Sequence, residues 1–302
     1  CTRCSTHGSP WIRVMGQIFA SLRCRGAWRK GYKLIFGNSS LTIGLAIVAL
    51  MCIVALVPES IATHNPNDHN VDAILQPPSA EHYFGTDNFG RDLYSRVVWG
   101  ARVDLQLGLV AMIVPFVVGS LIGLLAGYYG RWIDALLMRI LDIFLAFPFT
   151  LVIIVIVAII GPGTANLYIA MWLVGWRTYA RLIRSEVLVI RDAEYVQAAR
   201  VLGYSDARIL LRHILPNVVS SCIVYGASDV VMCMLAGAAM SFLGLGIQPP
   251  TPEWGALIAG GRAFISKAWW LTALPGLCLA IAGTGFSLVG DGLSDLLRTK
   301  GR

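Results

Sequence analysis

Six long apolar runs constrain this chain more than any other feature. They cover residues 41–57, 105–127, 143–161, 165–182, 218–245 and 269–288, close to the roughly 17 to 25 residues that a helix needs to cross a bilayer. The rest of the composition leaves no soluble alternative. Only 14% of the residues are charged and 56% are hydrophobic, whereas a soluble domain carries about 25% charge. So few charges cannot cover a soluble surface for 302 residues. The expected fold is an all-α integral membrane protein with about six transmembrane helices. The fourth run is the weakest, because its purely apolar part covers only residues 167–176 before Arg177 and Arg181. Those two arginines must sit at the interface or face protein. The fifth run is overlong and is expected to include flanking structure.

A net charge of +7 would raise nucleic acid as a partner in a soluble protein. Here the placement of the basic residues explains it better. Residues 1–40 hold seven Lys and Arg and no acid, and residues 177–212 hold seven more, whereas residues 58–104 hold three against seven acids. With an inside N-terminus and six alternating spans, nineteen basic residues fall on the cytoplasmic side and five outside. That is the positive-inside pattern, and it places both termini in the cytoplasm. Nucleic acid drops out as a partner, and the lipid bilayer takes its place. The first apolar run ends at Pro58 and Glu59 without a small-residue cleavage site, so it is expected to be a retained span. The chain then divides into a basic cytoplasmic segment 1–39, a membrane domain 40–297 and a short tail 298–302.

The seven cysteines form no disulfide framework. Cys52, Cys222, Cys233 and Cys278 lie inside apolar stretches, where cysteine behaves as a small hydrophobe. Cys1-x2-Cys4-x2-His7 lacks a second pair at zinc-finger spacing, so no metal site is assigned. Enzymatic signatures are missing too. There is no His-Glu-x-x-His, no Gly-x-Ser-x-Gly and no Gly-Lys dipeptide, so the chain has no P-loop lysine for phosphate. No catalytic residue and no cofactor is assigned; any ATP that drives the chain must be bound by a partner.

Two polar segments stand out. The first holds Gly85, Thr86, Asp87, Gly90, Arg91 and Asp92, a density of turn formers that builds tight loops in which Asx side chains cap backbone amides. It reads either as a structured external loop on the next helix or as a site for an extracytoplasmic partner or ligand. The second lies between the fourth and fifth runs. Residues 194–202 read as a helix with Val196, Ala199 and Val201 among its apolar positions. Gly203 makes a corner, Ser205 suits an N-cap and Asp206 suits a first helical turn. Ile209, Leu210, Ile214 and Leu215 follow, and Pro216 marks the next boundary. Two short helices around a glycine corner suggest a docking element.

These residues carry a family pattern. Gln197, Ala198, Ala199, Gly203, Leu215 and Pro216 resemble the E-A-A-x3-G-x9-I-x-L-P loop of ABC-importer permeases, with Gln197 in place of glutamate and His213 in place of isoleucine. The Gly-Thr-Asp-x2-Gly-Arg-Asp core at 85–92 is similar to the dipeptide/oligopeptide/nickel permease family, in particular its dipeptide-permease C-type subunit. So are Arg139-x2-Asp142-x5-Pro148, residues 241–246, residues 248–255 and residues 290–293. Ser287 and Ser294 depart from the family's usual Asn and Arg. The likeness covers about residues 40 to 297.

The resemblance implies a bacterial inner-membrane, multi-pass permease with a cytoplasmic coupling loop, in which Gln197, Ala198, Ala199, Gly203, Ser205, Asp206, Leu215 and Pro216 would meet an ATPase. It implies a homologous sister permease as heterodimer partner, two ATP-binding subunits that hold ATP and Mg, and a periplasmic or lipid-anchored solute-binding protein. The solute would be a di- or oligopeptide, glutathione, a D-alanyl dipeptide or a nickel complex, imported by alternating access. The alternative from another class, an ion-coupled secondary transporter, needs coupling residues near the midplane, and Asp229 is its clear candidate. Asp229 is expected to line the solute path, to hydrogen-bond a neighbouring helix or to be neutral. Asp142 is expected to pair with Arg139, and Pro148 to kink the third span.

Overall fold

A computed structural model describes residues 38–299. Helix α1 (Ser39–Leu56) starts at Asn38, whose side chain accepts from the amides of Ser40 and Leu41, the usual satisfaction of orphan amides at a helix start. A short α2 (Pro58–Ile61) and a 3-10 turn (Val71–Ala73) lead to α3 (Leu93–Tyr129), the longest helix at 37 residues. The chain continues through α4 (Arg131–Leu145), α5 (Phe149–Ile160) and α6 (Thr164–Ile190). Then come α7 (Glu194–Val201), α8 (Asp206–Ile209) and a π-helical turn over Leu210–Ile214. Helices α9 (Leu215–Phe242), α10 (Trp254–Gly261) and α11 (Trp270–Thr299) complete the fold. Among the described residues there is no strand, only an isolated antiparallel bridge between Thr86 and Asp92.

Four helical stretches are long and apolar enough to cross a membrane alone: α1, α3, Asp206–Phe242 and Trp270–Leu297. The third expected span is broken rather than kinked. Helices α4 and α5 meet at 84° around Pro148, and only together do they qualify as a fifth span. Helix α6 has the length, at 27 residues, but its arginines make it too polar to count. Arg177 faces protein: it is buried, donates to the Phe144 carbonyl (3.0 Å) and lies over the Phe149 ring. The basic segment 1–37 and residues 300–302, including the Cys1, Cys4 and His7 cluster, lie outside the described residues.

Helix α3 is the spine of the packing. Its residues enter three successive apolar clusters, through Leu93 and Val97, then Leu107 and Ala111, then Leu124 and Tyr128. Its C-terminal half lies directly on the α6 backbone. Gly119, Gly123 and Gly127 recur every four residues on one face, and a Cβ on the first two would sit 2.3 Å from the Trp176 carbonyl and 2.4 Å from that of Ala180. In lipid, helices associate by such close approach rather than by hydrophobic exclusion. Large apolar side chains point outward instead, among them Leu50, Ile53, Leu121, Leu151, Ile159 and Leu277, as a lipid-facing surface requires.

Candidate functional site

The 194–216 segment folds back on the C-terminal end of α3. Val196, Ala199, Ile209, Leu210 and Ile214 are buried against Leu124, Ile183, Val187 and Val218. The corner is a Schellman cap: the Gly203 amide donates to the Arg200 carbonyl (2.9 Å) and the Tyr204 amide to that of Ala199 (3.1 Å). This geometry puts Gly203 in the left-handed region, at φ +75°, which explains why glycine stands four residues past Ala199. A Cβ at Gly203 would meet nothing within 4 Å, so its requirement is conformational and not steric.

Asp206, in the first turn of α8, accepts from the Tyr128 hydroxyl at 2.6 Å, and Arg200 lies over the same ring. Tyr128 therefore ties the hairpin to α3. Arg191 donates to the Gly127 carbonyl (2.9 Å), and Arg184 makes a two-pronged pair with Asp134 of α4 (2.5 and 2.6 Å). Such a fork fixes orientation as well as charge. With one face anchored, the other is presented outward: Gln197, Ala198, Gly203, Ser205 and Asp206 are exposed, and Leu215 and Pro216 are half-buried at the junction with α9.

Several expectations need correction here. Val201 does not join the buried stripe; it is 88% exposed and Leu202 70%, which enlarges the outward apolar face. Ser205 occupies the N-cap position, but its hydroxyl makes no cap hydrogen bond. Pro216 does not end the helix. It sits in the first turn of α9, and the wider π turn over Leu210–Ile214 accommodates the missing proline N–H and ring clash. Arg139 and Asp142 form no ion pair; the paired carboxylate of α4 is Asp134.

At the opposite end of α3, about 55 Å away along a 37-residue helix, residues 58–92 form a cap. Asp87 accepts from the amides of Phe89 (2.8 Å) and Arg91 (3.0 Å) and from the Arg91 guanidinium (2.7 Å). The Thr86 hydroxyl donates to the Ala73 carbonyl and accepts from the Gln76 amide. Asp92 caps α3 through the Ser95 amide (2.8 Å). Gly85 and Gly90 take φ of +74° and +71° within this knot. An open recess of about 460 Å³ lies between cap and α10, lined by Asp87, Phe89, Arg91, Arg96, Pro250 and Leu257. Arg96 bridges its walls, donating to the Pro66 carbonyl (2.8 Å) and reaching toward that of Pro250 (3.5 Å).

Two buried acidic residues hold the membrane part to α10. Glu253 caps α10 through the amides of Gly255 and Ala256, and burial pushes its carboxyl above the usual carboxylate range. Asp104 of α3 accepts from the Trp254 amide (3.0 Å), and the Trp254 indole donates to the Val97 carbonyl (2.9 Å). Asp229 on α9 is half-buried and hydrogen-bonds a neighbouring helix: the Tyr179 hydroxyl of α6 donates to it at 2.8 Å, and Tyr225 reaches it at 3.4 Å.

Comparison with known proteins decides what this architecture belongs to. Residues 119–301 match the model of the binding-protein-dependent transport system inner membrane component. Residues 26–78 match the N-terminal transmembrane domain of oligopeptide transport permease C. The chain belongs to the binding-protein-dependent transport permeases of ABC importers. Among its relatives is a dipeptide transport system permease of Alkalihalophilus pseudofirmus, 42% identical over 90% of each chain. A di/tripeptide transport system permease of Pseudomonas aeruginosa is 40% identical over 85% of this chain and 87% of its own. A glutathione transport system permease of Pectobacterium atrosepticum is 37% identical over 91% and 92%. The permease is thus a multi-pass inner-membrane transport subunit and not an enzyme, and membership of this family gives no support to an ion-coupled carrier.

Proposed function

We propose that this permease imports peptide-like solutes, of the di- or oligopeptide class that includes glutathione, as one half of a heterodimer with a homologous sister permease. Two ATPase subunits holding ATP and Mg would dock on the exposed face of the 194–216 hairpin, and a periplasmic or lipid-anchored binding protein would deliver solute to the other end. The observation that carries this reading is the hairpin itself: an apolar inner face anchored on α3 and α6, and an outer face with Gln197, Ala198, Val201 and Leu202 free to meet a partner. Relatives named for dipeptides, di/tripeptides and glutathione support the solute class. Gly85, Thr86, Asp87, Gly90, Arg91 and Asp92 would shape the surface on which the binding protein sits.

Reconstitution into vesicles tests the assignment. The permease alone is expected neither to bind nor to hydrolyse ATP, since it has no Gly-Lys dipeptide for a P-loop. With sister permease, ATPases and binding protein, uptake of a labelled dipeptide should require ATP and persist when ion gradients are collapsed. Uptake that follows an ion gradient without the ATPases would overturn the reading.

Sidedness is the second expectation. Cytoplasmic termini place the 194–216 hairpin inside and the 58–92 cap outside, and the two lie at opposite ends of α3. Single cysteines at Ser79 and Ser205, in a background without native thiols, should react with a membrane-impermeant maleimide from opposite faces. Reaction of both from one face would refute this topology.

A further inference from the structure

The cap brings together three metal-ligating side chains from separate parts of the chain. His64 follows α2, His82 precedes the 85–92 loop and Asp92 starts α3. His82 Nδ1 lies 2.9 Å from Asp92 Oδ1, and His64 Nδ1 lies 3.8 Å from Asp92 Oδ2. One ligand atom from each residue falls within 4.8 Å of the other two. Bonds of about 2.0–2.2 Å in a tetrahedral site hold ligand atoms roughly 3.4 Å apart. Each imidazole lies near that distance from one oxygen of Asp92, His82 from Oδ1 and His64 from Oδ2, and small side-chain rotations would bring both to the same oxygen. The third edge, between the imidazoles, closes by turning one ring. His64 is the less enclosed ring, with its side chain 39% exposed, whereas those of His82 and Asp92 are 8% and 1% exposed.

The surroundings are those of a supported ligand set. Asp92 Oδ2 accepts from the Ser95 amide at 2.8 Å, the His82 amide donates to Ser79 Oγ at 3.1 Å, and the His64 amide donates to Ser95 Oγ at 3.0 Å. Outer contacts of this kind hold first ligands in place. Thr63 Oγ1 lies 2.9 Å from His64 Nδ1 and 3.5 Å from Asp92 Oδ2, which places a further oxygen beside the cluster. Two imidazoles and one carboxylate suit a first-row divalent ion such as Zn²⁺, not the all-oxygen shells of Ca²⁺ or Mg²⁺.

We propose that His64, His82 and Asp92 bind one divalent first-row transition-metal ion on the outer cap, with three protein ligands and a fourth position left to water or to a donor from a docking partner. His82 would bind through the Nδ1 lone pair, the tautomer that carries its proton on Nε2. The ion would pin residues 63–64 and 79–82 to the start of α3 and stiffen the cap.

The test uses the full chain in detergent, without a polyhistidine tag and with Cys1→Ser and Cys4→Ser to silence the N-terminal thiols. Calorimetric titration with Zn²⁺ should give one saturable site of micromolar or tighter affinity. Co²⁺ should give the visible absorption of a low-coordinate nitrogen and oxygen site. His64→Ala should weaken Zn²⁺ binding on the order of tenfold or more and abolish the Zn²⁺-dependent rise in melting temperature. The metal-free melting temperature of this variant should stay close to that of the parent, because the side chain is already 39% exposed and lies 3.8 Å from Asp92. His82→Gln should weaken binding likewise. Absence of a saturable micromolar site in the parent, or unchanged affinity in His64→Ala, would overturn the proposal.

Discussion

Replacing Gly203 with valine is expected to abolish solute uptake and to strip the ATPases from the purified complex, while the permease still inserts at normal levels. Gly203 holds φ +75°, a region that costs an L-residue about 1–2 kcal/mol and a β-branched one more. Nothing crowds the position, so the loss would come from an altered backbone at the Schellman corner. That separates the variants sharply. Gly203→Ala should also be impaired, although its methyl has room, whereas Gly203→Asn should retain most activity because asparagine tolerates the left-handed region. Uptake by vesicles and ATPase retention on an affinity column read both effects. Normal transport with normal retention in Gly203→Val would show that the hairpin is a solvated linker.

Gly123→Leu is expected to destabilise the permease strongly. A Cβ at Gly123 already falls 2.4 Å from the Ala180 carbonyl and 2.9 Å from the Ile183 Cβ. Backbone cannot swing aside as a flexible side chain can, so α3 and α6 must separate along their shared face. Overpacking of this kind costs about 1–3 kcal/mol, and here the upper end is expected. The variant should lose its monodisperse peak in size-exclusion chromatography and melt several degrees lower. Gly260→Ala is the matched control, because a Cβ there meets nothing within 4 Å and alanine favours the helix. Equal thermal stability of Gly123→Leu and Gly260→Ala would mean that α3 and α6 do not pack this closely.

The residues differ in how far they announced these roles. The hairpin was legible because its signals are local: a glycine four residues past Ala199 sits where a Schellman cap on that helix needs it, and Ser205 with Asp206 marks a helix start. Pro216 misled because proline is at home both just after a helix and in its first turn, and only the π turn before it shows which applies. Val201 misled because its apolar side chain alone groups it with Val196 and Ala199; at 100° per residue it points away from both, and it is exposed. The docking of Asp206 on Tyr128 and of Asp229 on Tyr179 joins residues 78 and 50 positions apart, which no spacing rule connects. Gly119, Gly123 and Gly127 counted toward an apolar run, yet their purpose shows only against the backbone of α6. His64, His82 and Asp92 match no ligand motif, and the folded cap alone makes them neighbours.

The π turn at Leu210–Ile214 has a mechanical consequence. By absorbing Pro216 without a break, it splices α8, the second helix of the hairpin, and α9 into one continuous rod, Asp206–Phe242, of 37 residues. At 1.5 Å per residue that rod is about 55 Å long, so each degree of tilt applied at its Asp206 end carries Phe242 through about 1 Å. Asp229 and Tyr225 ride on the same lever, gripped by Tyr179 of the adjacent helix. A stroke of a few ångströms delivered to the hairpin would thus arrive at mid-membrane as a sideways sweep of α9 against a fixed phenol, with no intermediate joint to dissipate it.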